Sequence, residues 1–312
     1  MVPKIALEEV RPAVDNQKVG ISYSGGGPRV VIELGCARAF VESGIRPAVI
    51  AGVSTGGLAG AAHALDPVSG RGIDLAAQLL TRISSRRLGL NKLNVYWKLL
   101  LFALRRKPHG LGDNSVIGSL IKESIASRFP DEFPSPITIG SFKDPRLLIA
   151  ATNRHDGTAH WFPSETELDA ALVTSSAVPG VFPWRPAPVG REDFPMVDGG
   201  VVTNQPISQL ALEGCGTIYA CSIGYGGGAV PNPTDLLDNA LACLWMAVHQ
   251  TMKLEEDYVR EKIAAAGGKV IHIHPEVSIP SEDFNFTAVS IETAMRDACE
   301  KTKAHLATNP RK

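Results

Sequence analysis

No apolar run in this chain approaches the roughly 20 residues that a bilayer-spanning helix needs. An excess of one charge is missing too. Lys and Arg number 31 against 32 Asp and Glu, a net charge of −1. That balance removes the bulk attraction to nucleic acid or anionic lipid that a basic protein carries, and no nucleic-acid partner is expected. Cysteine is scarce. The five (Cys36, Cys215, Cys221, Cys243 and Cys299) are an odd number without metal-ligand spacing, which suits a reducing compartment and no metal site. Cys36 and Cys243 fall in helical patterns and are expected in the core. Internal repeats and low-complexity tracts are absent. Two early acids interrupt the N-terminal apolar residues, so no secretory signal is read there. The expected location is cytoplasmic, with peripheral membrane contact left open.

Against that plain background one pentapeptide stands out. The apolar run Ala48-Val49-Ile50-Ala51 leads into Gly52-Val53-Ser54-Thr55-Gly56, and small residues from Gly57 to Leu65 lead out. Strand, tight turn and helix form the setting of a nucleophile elbow. A serine lifted onto such a turn takes a strained backbone, and neighbours with a Cβ would clash. The helix that starts there aims unpaired N–H groups at the serine oxygen and favours developing negative charge. The same five residues also fit a structural turn, so their company decides.

Upstream, Gly20-Ile21-Ser22-Tyr23-Ser24 alternates as a short strand and runs into Gly25-Gly26-Gly27-Pro28-Arg29. A helix follows, with Val30, Leu34, Ala37 and Val41 on one face and Gly44 as its stop. Pro28 suits the first turn, where its missing N–H costs nothing. Three successive glycines bare backbone N–H groups that can hold a phosphate or the oxyanion of a tetrahedral intermediate. A dinucleotide fingerprint fails because Val30 stands where its third glycine belongs. The mononucleotide P-loop sequence is absent. An oxyanion hole serving Ser54 is the favoured reading over a purely structural turn. It requires the two turns to follow adjacent parallel strands of one βαβ unit.

A serine also needs a base. None of the eight histidines sits in a motif. His63 lies in the elbow helix, and His272 and His274 alternate along a strand. Asp198 ends the apolar run Phe194-Pro195-Met196-Val197 and precedes Gly199-Gly200. A carboxylate there is partly buried, but Asp-Gly is a strong turn signal, and on local grounds alone the turn is the favoured reading. A triad of Ser54, Asp198 and either His272 or His274 would keep the chain order of α/β-hydrolases.

Residues 1–18 read as a loose N-terminal arm and 19–312 as one α/β domain with a mainly helical insertion at about 66–127. Within the insertion, residues 95–107 are apolar with a basic end. The favoured reading is a buried helix whose cationic C-terminus complements its dipole. The alternative is a lid or a membrane-touching helix with Trp97 and Phe102 in the lipid interface. Strands are expected at 147–152, 159–162, 217–223 and 270–273, and helices at 233–265 and 288–307. Pro179, Pro183, Pro186, Pro188 and Pro195 stiffen a loop before Asp198, one wall of the site.

Four segments, in order, resemble the patatin-like phospholipase family. Gly25-Gly26-Gly27-Pro28-Arg29 resembles its G-G-G-x-R anion hole, and Gly52–Gly56 its nucleophile elbow. Ser175-Ser176-Ala177-Val178-Pro179-Gly180-Val181-Phe182-Pro183 resembles its S-x-A-x-P-x-x-F-x-P segment. Asp198-Gly199-Gly200 resembles its D-G-[GA] block, with Asn204 and Pro206 following. The resemblance spans residues 18 to 208. It implies an α/β fold, a three-layer α/β/α sandwich with a mainly parallel central sheet. It implies a Ser–Asp dyad, with Ser54 as nucleophile and Asp198 as base. The backbone N–H groups of Gly25, Gly26, Gly27 and Arg29 would form the oxyanion hole, while Pro28 has none to offer. The implied substrate is a lipid or lysolipid ester, cleaved without metal or cofactor, with transient membrane-surface contact. Val30 departs from the pattern, which usually has glycine there. A β-branched residue is expected to narrow the pocket or alter the helix start. A phosphate- or nucleotide-binding module without catalysis is the rival from another class. The oligomeric state is left open.

Overall fold

The computed structural model describes residues 14–104, 106, 109–190, 193–223, 236–279 and 284–309. Its strands are β1 (Asp15–Tyr23), β2 (Val49–Val53), β3 (Arg146–Asn153), β4 (Thr158–Trp161), β5 (Arg185–Pro186), β6 (Pro195–Val197), β7 (Cys215–Cys221) and β8 (Lys269–Ile273). Its helices are α1 (Val30–Glu42), α2 (Thr55–Leu65), α3 (Arg71–Arg82), α4 (Lys92–Ala103), α5 (Ser115–Arg128), α6 (Leu168–Ser175), α7 (Ile207–Leu212), α8 (Leu236–Ala265) and α9 (Ala288–Thr308).

The strands join in one mixed sheet in the order β5-β6-β3-β2-β1-β7-β8, with β4 also paired to β3. Its centre, β3-β2-β1-β7-β8, is parallel throughout. The pairs of β3 with β4 and β6, and of β5 with β6, are antiparallel. A sheet covered on both faces needs apolar residues at consecutive positions, and all five residues of β2 are buried. Their alternation sorts the layers. Ile50 joins a core with residues of α1, α2, α3, α5, α6 and α9, while Val49 and Ala51 join one with residues of α7 and α8. The three-layer sandwich expected from the sequence is the fold observed.

Three expectations need correction. The arm read over 1–18 lies outside the described residues up to position 13, but β1 already begins at Asp15. The Asp15 N–H donates to Gly214 O at 3.0 Å, so the polar residues that open this interior strand are held in it by backbone pairing. Cys36 is buried as expected, whereas Cys243 is exposed, on an outward face of α8. The stretch read as an insertion holds α3, α4 and α5, but α4 is not a buried helix. Leu93 is 77% exposed and Trp97 58%, with Tyr96, Leu99, Leu100 and Leu104 also exposed. No second layer covers its outer face among the described residues, and only Val95, Lys98 and Leu101 within it are half-buried. The side chain of Phe102, the basic residues Arg105 and Lys107, and positions 233–235 of the helix read at 233–265 lie outside the described residues. Val30 opens α1 after a short 3-10 turn (Gly27–Arg29), and its side chain is fully buried in the core.

Candidate active site

β1 and β2 are adjacent and parallel, with Tyr23 opposite Gly52, so the glycine turn and the elbow leave the sheet side by side. Ser54 caps α2 with φ 51° and ψ −132°, and it is the one described non-glycine residue at positive φ. Such a conformation costs on the order of 1–3 kcal/mol and persists only where the surroundings hold it. Crowding explains the flanking glycines. A Cβ on Gly52 would stand 2.4 Å from Gly56 O, and one on Gly56 would stand 2.4 Å from the carbonyl oxygens of Tyr23 and Ser24. A buried clamp adds to this. The Ser54 N–H donates to Ser175 Oγ at 2.8 Å, and that hydroxyl donates to Ala150 O on β3 at 2.6 Å.

Asp198 reaches the same place along an unexpected route. β2 leaves β3 at the pair Val53–Ala150. Because β4 occupies the other edge of β3 at residues 150–153, β6 takes up the edge that β2 vacates, pairing Val197 with Thr152. Running antiparallel, β6 delivers Asp198 to the end of β2. Gly199 is pressed so close that a Cβ would stand 2.4 Å from Ala150 O and 3.0 Å from Val53 Cβ. The Asp198 N–H donates to Ala177 O at 2.9 Å. Asp198 as a whole is 6% exposed. Oδ1 accepts the Gly200 N–H at 2.8 Å, while Oδ2 is buried without a hydrogen-bond partner. Burial pushes the Asp198 pKa up to about 6, against the downward pull of the neighbouring Ser54 hydroxyl and the Gly200 amide. The serine therefore lies against the acid, with no hydrogen bond of standard geometry closed between them.

The glycine turn is less open than its sequence suggests. The Gly25 N–H donates to Asn204 O at 3.2 Å, that of Gly26 to Thr55 Oγ1 at 3.2 Å, and that of Arg29 back to Gly26 O at 3.3 Å. Gly27 (φ +57°) has nothing within 4 Å of where its Cβ would stand, and no partner for its N–H is found among the described residues. Asn204 ties the blocks together. Its Nδ2 donates to Gly25 O at 3.1 Å, and its Oδ1 is buried without a partner. A Cβ on Gly25 would stand 2.6 Å from that oxygen and 3.0 Å from Ser54 Cβ. The adjacent Gln205 donates to Ser22 Oγ and Cys221 O at 3.0 and 3.1 Å, pinning the segment after Asp198 across β1 and β7.

The histidines are engaged elsewhere. His63 is fully buried, its Nδ1 2.8 Å from Tyr23 Oη. His272 Nδ1 lies 3.1 Å from Glu256 Oε2, and His274 Nδ1 lies 2.7 Å from Ser222 O. Neither His272 nor His274 bonds Asp198. A cleft of about 570 Å³ bordered by α1, α3 and α9 has none of Ser54, Asp198 or the glycine turn in its lining. Four of its charges form two ion pairs, Arg38 with Asp74 and Lys303 with Glu42. Sequence reasoning missed the roles of Ser175, Thr55 and Gln205. The serine stands in a segment singled out by resemblance, but nothing local to it names Ser54 as its partner.

A family model described as Patatin-like phospholipase matches residues 21–224. Lysophospholipase NTE1 of Saccharomyces cerevisiae is 26% identical over 223 residues, covering 70% of this chain and 11% of that protein. Lysophospholipase NTE1 of Kluyveromyces lactis is 23% identical over 221 residues, covering 68% of this chain and 13% of its own length. The chain thus spans only a small part of each of these relatives. Among solved structures, VipD from Legionella pneumophila superposes with a TM-score of 0.41 at 14% identity, covering 93% of this chain and 66% of that one. The type III effector protein ExoU does so with a TM-score of 0.42 at 16% identity, covering 95% and 54%.

Proposed function

The chain belongs to the patatin-like phospholipase family, and from that premise we propose that it is a serine acyl hydrolase cleaving lipid or lysolipid esters through Ser54 and Asp198. The observation that carries this reading is the buried, unpartnered Oδ2 of an acid lying against a strained serine. Ser54 Oγ attacks the ester carbonyl and passes its proton to the Asp198 carboxylate. A carboxyl with a pKa of about 6 is mostly ionised at neutral pH, yet basic enough to take a proton in the transition state. The Gly200 amide fixes Oδ1, which leaves Oδ2 for that transfer. The developing oxyanion is held by the amide of Gly27, by the first-turn amides of α2 and by the Gly26 amide once it exchanges the Thr55 hydroxyl for the stronger acceptor. The protonated Asp198 then gives its proton to the leaving alcohol. Water enters by the same two steps in reverse order and releases the fatty acid. The names of the yeast relatives favour a lysophospholipid among the candidate substrates.

The test is hydrolysis of a short-chain nitrophenyl ester, followed by mass spectrometry of products from a mixed lipid panel. Ser54→Ala and Asp198→Asn are each expected to lower turnover by about 1000-fold or more, with circular dichroism unchanged. A fluorophosphonate probe should label the wild type and not Ser54→Ala. His272→Gln and His274→Gln should stay near wild type. Near-normal turnover by Ser54→Ala or Asp198→Asn would refute the reading. Collapse in either histidine variant would restore the triad.

A further inference from the structure

We propose that α4 is an interfacial anchor that seats the outward face of its helix in the headgroup region of an anionic phospholipid bilayer. The argument begins with its orientation. Leu93, Tyr96, Trp97, Leu100 and Leu104 recur at helical spacing and make one stripe roughly 100° wide, the apolar face that normally turns to the core. Here that stripe is the outer one, and all five side chains are exposed. The side facing the body is mixed, with Lys98 half-buried beside Val95. Large side chains bared on a contiguous face mark an interaction surface rather than ordinary surface scatter.

Charge selects the occupant. The chain as a whole is close to neutral, but every charged side chain between Asp74 and Asp113 is Lys or Arg. Arg82 pairs with Glu123. Among the described residues no ion pair is found for Arg86, Arg87, Lys92, Lys98 or Arg106. A cationic segment around an exposed Trp-Tyr-Leu stripe has the composition of helices that lie in the plane of a bilayer surface, with basic groups on anionic lipid and aromatic rings at headgroup depth. A second copy of this chain would meet the same cations with its own.

The root of α4 is also bonded to the candidate site. The Asp113 N–H donates to Leu88 O at 2.8 Å and closes the excursion. The Gly112 N–H donates to Val181 O at 2.8 Å and that of Leu111 to Gly180 O at 3.2 Å. Those acceptors belong to the loop that carries Ala177, whose carbonyl holds the Asp198 amide, and follows Ser175, whose hydroxyl holds the Ser54 amide. A bilayer bound by α4 thus has a short hydrogen-bonded path to the site. The biological sense of the anchor rests on the lipid-hydrolase reading, but its binding does not.

The experiment is flotation of the full chain with vesicles of phosphatidylcholine alone and of phosphatidylcholine mixed with phosphatidylglycerol. Wild type and Ser54→Ala are both expected to float with the anionic vesicles, weakly with the neutral ones, and less as salt rises. Trp97→Ser with Leu100→Ser should cut binding about tenfold or more, and Arg86→Glu with Arg87→Glu about tenfold. Both double variants should keep their melting temperature and their turnover of the soluble nitrophenyl ester. Absence of flotation, or flotation of the Trp97/Leu100 variant equal to wild type, would overturn the anchor. So would a wild-type dimer in ultracentrifugation that this variant abolishes, since the face would then belong to a second copy. Flotation by a wild type inert toward every ester would sink the hydrolase reading and leave the anchor standing.

Discussion

The carboxyl of Asp198 sets the first test at the level of single residues. As the proposed base it must be ionised to act, and burial has moved its pKa to about 6. kcat/KM should therefore fall tenfold per pH unit below about 6 and level off above it, a limb read from a pH–rate profile in a soluble ester. A flat profile down to pH 4 would remove Asp198 from the proton transfer. Ser175 offers a second test. Its hydroxyl accepts the Ser54 amide and donates to Ala150 O, so Ser175→Ala leaves two buried backbone groups unsatisfied. The expected loss is about 2 kcal/mol of stability, with kcat lowered about tenfold or more, KM little changed and the pH limb unmoved. Ser175→Thr should restore part of kcat if the cavity admits the methyl group. Ser54 and Asp198 were legible because their neighbouring glycines make recognisable blocks. Ser175 was not, since its bond to Ser54 spans 121 positions. Nor could sequence say that Asn204 O and Thr55 Oγ1 already hold two of the glycine-turn amides.

Among elements, those whose pattern agrees with their burial were the legible ones. The strands read at 147–152 and 270–273 appear as β3 and β8, and the helix read at 288–307 as α9 (Ala288–Thr308). The short strand β6 escaped notice, because three residues carry too little alternation and its pairing is set by where β2 ends. The orientation of α4 escaped for a different reason: its apolar residues run all round the helix in sequence, a pattern of burial, and only packing decides which of them are left uncovered. Helix contacts were equally invisible. α1 and α9 cross at Gly35, where a Cβ would stand 2.5 Å from Met295 O and 2.6 Å from Ala298 Cβ. Gly35→Val must push the helices apart and should cost about 3 kcal/mol, read by urea denaturation. Soluble-ester turnover of the folded fraction should hardly change, since none of the elbow contacts involves α9. A variant as stable as wild type would show that this crossing yields more easily than its backbone contact implies.

Over the whole molecule, buried ionisable groups govern how stability varies with pH. Burial raises Glu33 well above the usual carboxylate range, raises Glu255 and lifts Asp198 to about 6. In the unfolded chain such groups titrate at about 4. The folded state therefore holds their protons more tightly, and the stability this contributes is full below about pH 4 and lost as pH rises through the folded values. His63 works on the opposite limb. Burial, aided by the charge of Arg46, lowers it from 6.5 to about 3. The unfolded chain takes up that proton first, so the contribution is present above pH 6.5 and lost as pH falls towards 3. Melting temperature should thus trace a dome with its crest in mildly acidic solution, falling on both sides. Asp198→Asn isolates one term. The move from 3.8 to about 6 corresponds to about 3 kcal/mol, released when the buried charge is removed. The variant should be more stable than wild type by up to that amount near pH 8 and gain almost nothing near pH 4, where Asp198 is protonated in the folded state. A gain equal at both pH values would mean that the amide improves packing and that the acid carries no desolvation strain, and the base assigned to Ser54 would lose its physical footing.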